Sequence, residues 1–283
     1  MALTLVEAAK IAAGRDQIHK ATVMELYAKS SMIMQFLPFE TISGNAITFN
    51  REQTLPRVDF RGLNEGYTEG TGTMAPVTES LAIAGGDLDV DTFIVKTSGM
   101  DQRAVQEAMK IKALSLYLTK IYVKGDIASN PKGFDGLQVR CTGNQLIAAG
   151  DTGGGTPLSL LKLDELIDAV EEPTHLIMNK TMRRRLTQAS RTTSVGGYIT
   201  YELDAFGRQV TKYNDLPILV VDKDESNTDI MPFTEAATSG GSTGTSVYCV
   251  SLAENGVVGL QNDDMDVRDL GEIQSQPVYR TRI

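Results

Sequence analysis

SGMDQRAVQEAMKIKALSLYLTKIYVKG, residues 98–125, holds no proline or glycine between Asp101 and Lys124, and its apolar residues recur on a helical period. Ala104, Ala108, Ile111, Leu114, Leu118 and Ile121 fall three or four apart, so they line one stripe of a single long helix. Ser98 followed by Asp101 fits an acidic variant of the capping box, and Lys120 and Lys124 stand where the negative end of the helix dipole favours cations. Gly125 is the expected stop. Arg103 with Glu107 and Glu107 with Lys110 pair along the outer side, each pair worth roughly 0.2–0.5 kcal/mol. At about 1.5 Å per residue the helix spans roughly 35 Å, as long as a small domain is wide, so it acts as a strut. It is too heavily charged to cross a membrane.

The chain has 283 residues, 41% of them hydrophobic, which is enough for a sizeable core in one large or two smaller units. Acidic residues outnumber basic ones, 36 to 27, for a net charge of -9. That balance argues against gripping nucleic acid over the whole surface, because such binding rests on neutralising phosphates. Cys141 and Cys249 fit neither a disulfide framework nor a metal spacing, and are expected to be free thiols. No basic start followed by an apolar run marks a signal peptide, and no transmembrane segment is evident.

Upstream of the strut, residues 1–43 read as an arm. Leu5, Ala8, Ala9 and Ala12 share one side of a short helix, a second helix is expected over about Ala21–Met34, and Leu37-Pro38-Phe39 ends the arm. Neither helix has the apolar content to make a core, so the arm must dock on its own body or on a neighbouring chain. From Gly44 to Ala84 the period becomes two, with Ile47 and Phe49, Val58 and Phe60, and Leu81 and Ile83 as half-buried strand pairs. Between Arg61 and Thr78 the text is glycine-rich and polar. A long hairpin with such a tip cannot stand alone and must lie on a partner.

Leu88, Val90, Thr92 and Ile94 alternate as a strand that feeds the strut. Asp87, Asp89 and Asp91 share its other face, which reads as solvated in preference to a divalent-cation site. Strand, long helix and more strand together indicate an α+β unit. Gly153 to Gly155 form a linker, and Thr156-Pro157 fits an N-cap and first helical position of a helix over 157–171. Strands are expected near Thr174–Met178, Tyr198–Glu202, Val210–Tyr213 and Pro217–Val221, with a helix after Asn179. Asp204 to Gly207 and Glu254-Asn255-Gly256 are expected hairpin turns, the second of type I′. Val267–Ile283 should return as extended chain onto the first unit.

Little chemistry is legible. Gly240 to Gly244 matches G-x-S-x-G, but it lies in a Ser/Thr/Gly run and no histidine follows His175, so a loop is the better account. His19 and His175 lack partners at ligand spacing. Arg183, Arg184, Arg185 and Arg191 make a small basic patch, expected to be a solvated or intersubunit face. Asp222, Asp224 and Glu225 end a strand, where charge usually means solvent. No catalytic, cofactor-binding or metal site is expected. A metal-dependent hydrolase using Asp87, Asp89 and Asp91 or Asp222 and Asp224 is the alternative from the enzyme class.

Three runs carry a family likeness. GNAITFNREQTLPRVDFRGLNEGYTEGTGT (44–73), DLDVDTFIVKTSGMDQRAVQEAMKIKALSLYLTKIYVKGD (87–126) and PKGFDGLQVR (131–140) resemble the major capsid proteins of tailed double-stranded-DNA bacteriophages. The resemblance implies the Hong Kong 97 type fold: N-terminal arm 1–43, extended β-hairpin loop 44–85, peripheral domain 86–145 with spine helix 99–124, axial domain 146–261, and return strand 262–283. It implies hexamers and pentamers closing an icosahedral shell around packaged double-stranded DNA, which is not read by sequence. The virion is the expected location, with assembly in the host cytoplasm. Scaffolding, portal and decoration proteins are the separate partners, and no cofactor or membrane is involved. The intersubunit contact candidates are Arg51, Arg57, Arg61, Glu65, Tyr67 and Glu69 on the loop and Arg183 and Arg184 beyond it. An encapsulin-like compartment of the same fold is the structural alternative. Some family members join subunits through a loop lysine, but Gly44–Val95 holds no lysine, so that link is not expected. Because the chain begins at the arm, any scaffold is expected to be a separate protein.

Overall fold

A computed structural model of the chain describes residues 3–4, 26–27, 30–98, 101–149, 158–191, 199–204, 206–236, 243–253, 255–263 and 265–283. In chain order it runs β1 (Leu3–Thr4), α1 (Met32–Phe36), β2 (Pro38–Thr41), β3 (Ala46–Thr54), β4 (Thr73–Ser80), β5 (Asp87–Asp91), α2 (Thr92–Ser98), α3 (Asp101–Lys124) and the one-turn α4 (Leu137–Arg140). Then follow α5 (Leu160–Asp168), β6 (His175–Asn179), α6 (Lys180–Ser190), β7 (Ile199–Leu203), β8 (Gln209–Tyr213), β9 (Leu216–Val221), β10 (Tyr248–Val250), β11 (Gly259–Gln261), β12 (Arg268–Glu272) and β13 (Val278–Arg282).

Five strands in the order β10-β6-β9-β8-β7 make the central sheet, with β6 and β9 parallel. These two strands are apolar at nearly every position because both of their faces are covered. On one face Leu176, Met178 and Ile218 meet Leu163 and Ile167 of α5 and Met182 and Leu186 of α6. On the other, Ile177, Leu219 and Val221 meet Ile33 and Met34 of α1 and Ile111, Tyr122 and Val123 of α3. Alternation along a strand thus separates two apolar clusters and fixes which helices lie on which side.

The long helix lies where expected, and the apolar stripe faces the core from Ala108 on, with Ile111 buried and Leu114 and Leu118 packed against the core cluster, but the buried side is wider than the stripe. Ala104 is exposed, whereas Ser115 and Thr119 are buried with Ile111, Tyr122 and Val123. Both hydroxyls face the arm: Ser115 Oγ donates to the Tyr27 carbonyl at 2.9 Å, and Thr119 Oγ1 lies 2.7 Å from Ser31 Oγ. Ser31 is the N-cap of α1, so the second arm helix breaks there instead of running unbroken to Met34. Helix 5–12 and Ala21 to Glu25 lie outside the described residues. Gly125 follows α3 where only glycine fits, since a Cβ there would come within 2.3 Å of the Phe134 carbonyl oxygen.

Several boundaries differ from expectation for identifiable reasons. Strand β5 stops at Asp91, because Asp91 Oδ1 accepts from Phe93 N at 2.7 Å and starts α2; Thr92 and Ile94 are therefore helical. Ser98 closes α2, which removes it as the cap of the long helix, and residues 99–100 lie outside the described residues. Helix α5 starts at Leu160, where Ser159 Oγ accepts from Lys162 N at 3.3 Å, three residues after the expected start. Gly153 to Pro157 and Gly240 to Ser242 lie outside the described residues. The Asn255-Gly256 turn joins strands of two different sheets, and Gly256 lacks the positive φ that a type I′ loop needs. That loop type occurs instead between β8 and β9, where Asn214 and Asp215 have φ of 48° and 64°.

The last strand closes the chain on its first half. β13 pairs antiparallel with β5, from Val278 opposite Asp91 to Arg282 opposite Asp87, while β12 covers the far edge of β13. Across this ladder Arg280 grips Asp89 with two bonds of 2.6 Å and Arg282 holds Asp87 at 2.7 Å. Asp87 and Asp89 lie on the solvent-exposed face, as expected, and there they are arginine-paired, while Asp91 caps α2.

Candidate assembly interface

Residues 43–86 leave the body as a two-stranded ribbon. β3 and β4 pair from Ala46 opposite Ser80 to Thr54 opposite Thr73, with a bulge at Glu52/Thr54, and join no other strand. Threonine hydroxyls bridge the pair, Thr48 to Thr78 at 2.9 Å and Thr54 to Thr73 at 2.6 Å, cross-strand contacts of the kind that stabilise a sheet pair. Beyond the strands, residues 55–57 and 70–72 stay close: a Cβ on Gly70 would come within 2.9 Å of Arg57 N. Glycine is needed there because backbones touch.

At the tip, a small set of polar contacts holds the loop in shape without covering it. Gly62 N donates to Glu65 Oε2 at 3.0 Å, Arg61 donates to the Glu65 carbonyl at 3.2 Å and stacks 5.1 Å from the Tyr67 ring, and Arg57 pairs with Asp59 at 2.7 Å. Val58, Phe60 and Leu63 point into solvent at 91%, 108% and 97% exposure. Val58 and Phe60, expected as a half-buried strand, are therefore loop residues with no apolar cover. The signal in the sequence was their position: apolar side chains between glycines and charges, with no alternating partner segment. Leu81 and Ile83 likewise follow β4 instead of forming a strand, Ile83 fully exposed.

Of the sequence-derived candidates, Arg51, Arg57, Arg61, Glu65, Tyr67 and Glu69 are all exposed on the ribbon. Arg183 and Arg184 sit apart from it on α6, one half-buried and one exposed.

Ion pairs tie the ribbon and the sheets to the body. The Arg140 guanidinium bonds both oxygens of Glu79, at 2.5 and 2.9 Å, and Arg140 Nε is held at 2.8 Å by the Asp135 carbonyl. This contact depresses the Glu79 carboxyl below its usual range. On α3, Arg103 reaches Asp269 at 2.6 Å and Thr281, Lys120 reaches Asp224 at 2.8 Å, and Lys124 reaches Glu235 at 2.8 Å. Asp224, expected in solvent, is buried, and Asp222 pairs with Lys180. His175 is half-buried against the Phe36 ring, 5.1 Å away, and burial lowers its pKa to about 4. Among the described residues no three His, Cys, Asp or Glu are grouped as a metal ion requires, and no helix is long and apolar enough to cross a membrane.

Solved structures share the fold of this α+β body crossed by one long helix. The chain is similar to a structure of Microbacterium phage Oxtober96 (TM-score 0.62, 13% identity, 89% of this chain and 82% of that one). It is also similar to the capsid of a native GTA particle (0.60, 12%, 89% and 83%) and to the holo-SrpI encapsulin complex from Synechococcus elongatus PCC 7942 (0.59, 17%, 89% and 79%). The shared architecture is the Hong Kong 97 type capsid fold. The chain belongs to the Major capsid protein GP7 family, which it matches over residues 15–161, just over half its length. No curated protein sequence matches it.

Proposed function

We propose that this capsid protein closes hexamers and pentamers into an icosahedral shell, and that residues 44–85 are the part that reaches a neighbouring subunit. The exposed apolar tip at Val58, Phe60 and Leu63 carries the reading, because large apolar side chains clustered on a ribbon gain their stabilisation only when another surface covers them. Around the ribbon, residues 1–43 form an arm, 86–145 with 262–283 a peripheral unit built on α3, and 146–261 an axial unit. Arg51, Arg57, Arg61, Glu65, Tyr67 and Glu69, with Arg183 and Arg184, are contacts between copies.

The shell encloses double-stranded DNA that no residue reads by sequence. A net charge of -9 lets DNA pack against the wall without adhering. Assembly takes place in the host cytoplasm, with scaffolding, portal and decoration proteins as separate chains, and the subunit itself does no catalysis. Electron micrographs of the expressed protein should show rings, sheets or closed particles. A monodisperse monomer at high concentration, with or without a scaffold, refutes the proposal. Particles that enclose a second protein and no nuclease-protected DNA would instead be a compartment of the encapsulin kind.

A further inference from the structure

Helices α5 and α6 cover the same face of the central sheet, and their outer sides carry opposite charge. The acidic side residues on α5 and the turn after it are Asp164, Glu165, Asp168, Glu171 and Glu172, against Lys162 as the one base. Helix α6 and its C-cap carry Lys180, Arg183, Arg184, Arg185 and Arg191 and no acid. Part of this charge is used within the chain. Asp164 accepts from Tyr213 Oη at 2.8 Å, Glu165 pairs with Lys162 at 2.7 Å, Lys180 pairs with Asp222, and Arg185 lies 5.3 Å from the Phe233 ring centre. Asp168, Glu171 and Glu172 on one side, and Arg183 and Arg184 on the other, make no ion pair among the described residues.

Local helix physics does not account for the unused charges. Asp168 is the last residue of α5, and no base stands in the last turn, although the negative end of the dipole favours cations there. Helix α6 has no acid in its first turn, and its next two residues after Met182 are the arginines. Asp168 thus stands where the dipole of its own helix disfavours it, and Arg183 and Arg184, beyond the first turn, gain nothing from theirs. The charges are also separated along β6: Glu171 and Glu172 stand just before its start at His175, one turn beyond Asp168, and Arg183 and Arg184 stand just past its end at Asn179.

We propose that Arg183 and Arg184 of one subunit pair with Asp168, Glu171 and Glu172 of the next copy around the ring. The inference rests on the shell reading, because a closed ring needs a head-to-tail contact, and a face acidic before one end of β6 and basic past the other supplies it. A polyanion such as DNA fits the arginines alone, but it would be repelled by the carboxylates on the same face.

The test uses three full-length variants: Arg183→Glu with Arg184→Glu, Asp168→Lys with Glu171→Lys, and all four changes together. Each pair alone should lower the yield of rings and closed particles about ten-fold or more while the subunit melts as wild type, and the four-fold variant should recover assembly. Mixing the two half-reversed proteins should restore six-membered rings, in which they alternate, but not five-membered ones. Unchanged assembly in both half-reversed variants overturns the proposal, as does failure of the four-fold variant to recover. Intact shells that lose only DNA retention when α6 is reversed overturn it in favour of the nucleic acid. If wild-type protein forms no rings or particles at all, the shell reading itself falls.

Discussion

Asp224 shows how a charged residue at a strand end becomes structural. Its carboxylate takes Lys120 Nζ at 2.8 Å, Ser226 N at 2.9 Å and Thr228 N at 2.8 Å, so it both shapes its own turn and pins the long helix. Asp224→Ala should cost about 2 kcal/mol, read as a lowered midpoint of chemical unfolding, because it strands the Lys120 ammonium and two amides. The Lys120 bond, first, and the amides hold the Asp224 carboxyl below its ordinary value. A depressed carboxyl stabilises fully above its unfolded value, about 3.9, and loses that contribution as pH falls through the folded value. The stability gap between wild type and Asp224→Asn should therefore be widest near neutrality and close as pH falls below the ordinary carboxyl range. Glu79 is a different case, since its Arg140 partner is half exposed. Glu79→Gln should change global stability by under about 1 kcal/mol, yet hydrogen exchange should speed up along β3 and β4 as the clamp on the ribbon weakens. Unchanged exchange would show that the clamp does not set the ribbon's position.

At the scale of elements, the long helix was legible because its apolar residues keep a helical period over many turns, and β6 and β9 because they are short apolar runs. What stayed hidden was pairing at a distance. Ser115 and Thr119 look like breaks in an apolar stripe until Tyr27 and Ser31, 88 residues upstream, appear as their partners. The DKDE run at 222–225 resembles a solvated strand end because nothing nearby points to Lys120. Val58 and Phe60 mimic a strand through spacing alone, and short runs cannot separate a strand from an extended loop. The ribbon also differs from the other elements energetically: apart from the Glu79–Arg140 contact near its base it is mostly exposed, so it contributes little to the folded subunit. Replacing Arg51 to Pro76 by a short turn should leave a cooperative melt close to that of the full chain while abolishing assembly. Loss of the cooperative transition would show instead that the ribbon belongs to the core.

For the whole molecule, the apolar side chains divide into those that fold the subunit and those that the folded subunit leaves uncovered. The buried clusters on both faces of the central sheet belong to the first group, and Val58, Phe60 and Leu63 to the second. A surface substitution in the second group touches no internal contact, so Val58→Ser with Phe60→Ser should shift the melting of the unassembled subunit by no more than about 0.5 kcal/mol. Assembly should respond far more strongly. Each such side chain gains about 1.5–3 kcal/mol when a neighbour buries it, and about 1.4 kcal/mol is ten-fold in an equilibrium constant. The concentration needed to form particles, read by light scattering, should thus rise at least about ten-fold, and by more where one ring repeats the contact at every subunit. Wild-type assembly combined with a weakened subunit would mean that the tip packs against its own chain, because only an internal contact couples those two measurements in that direction.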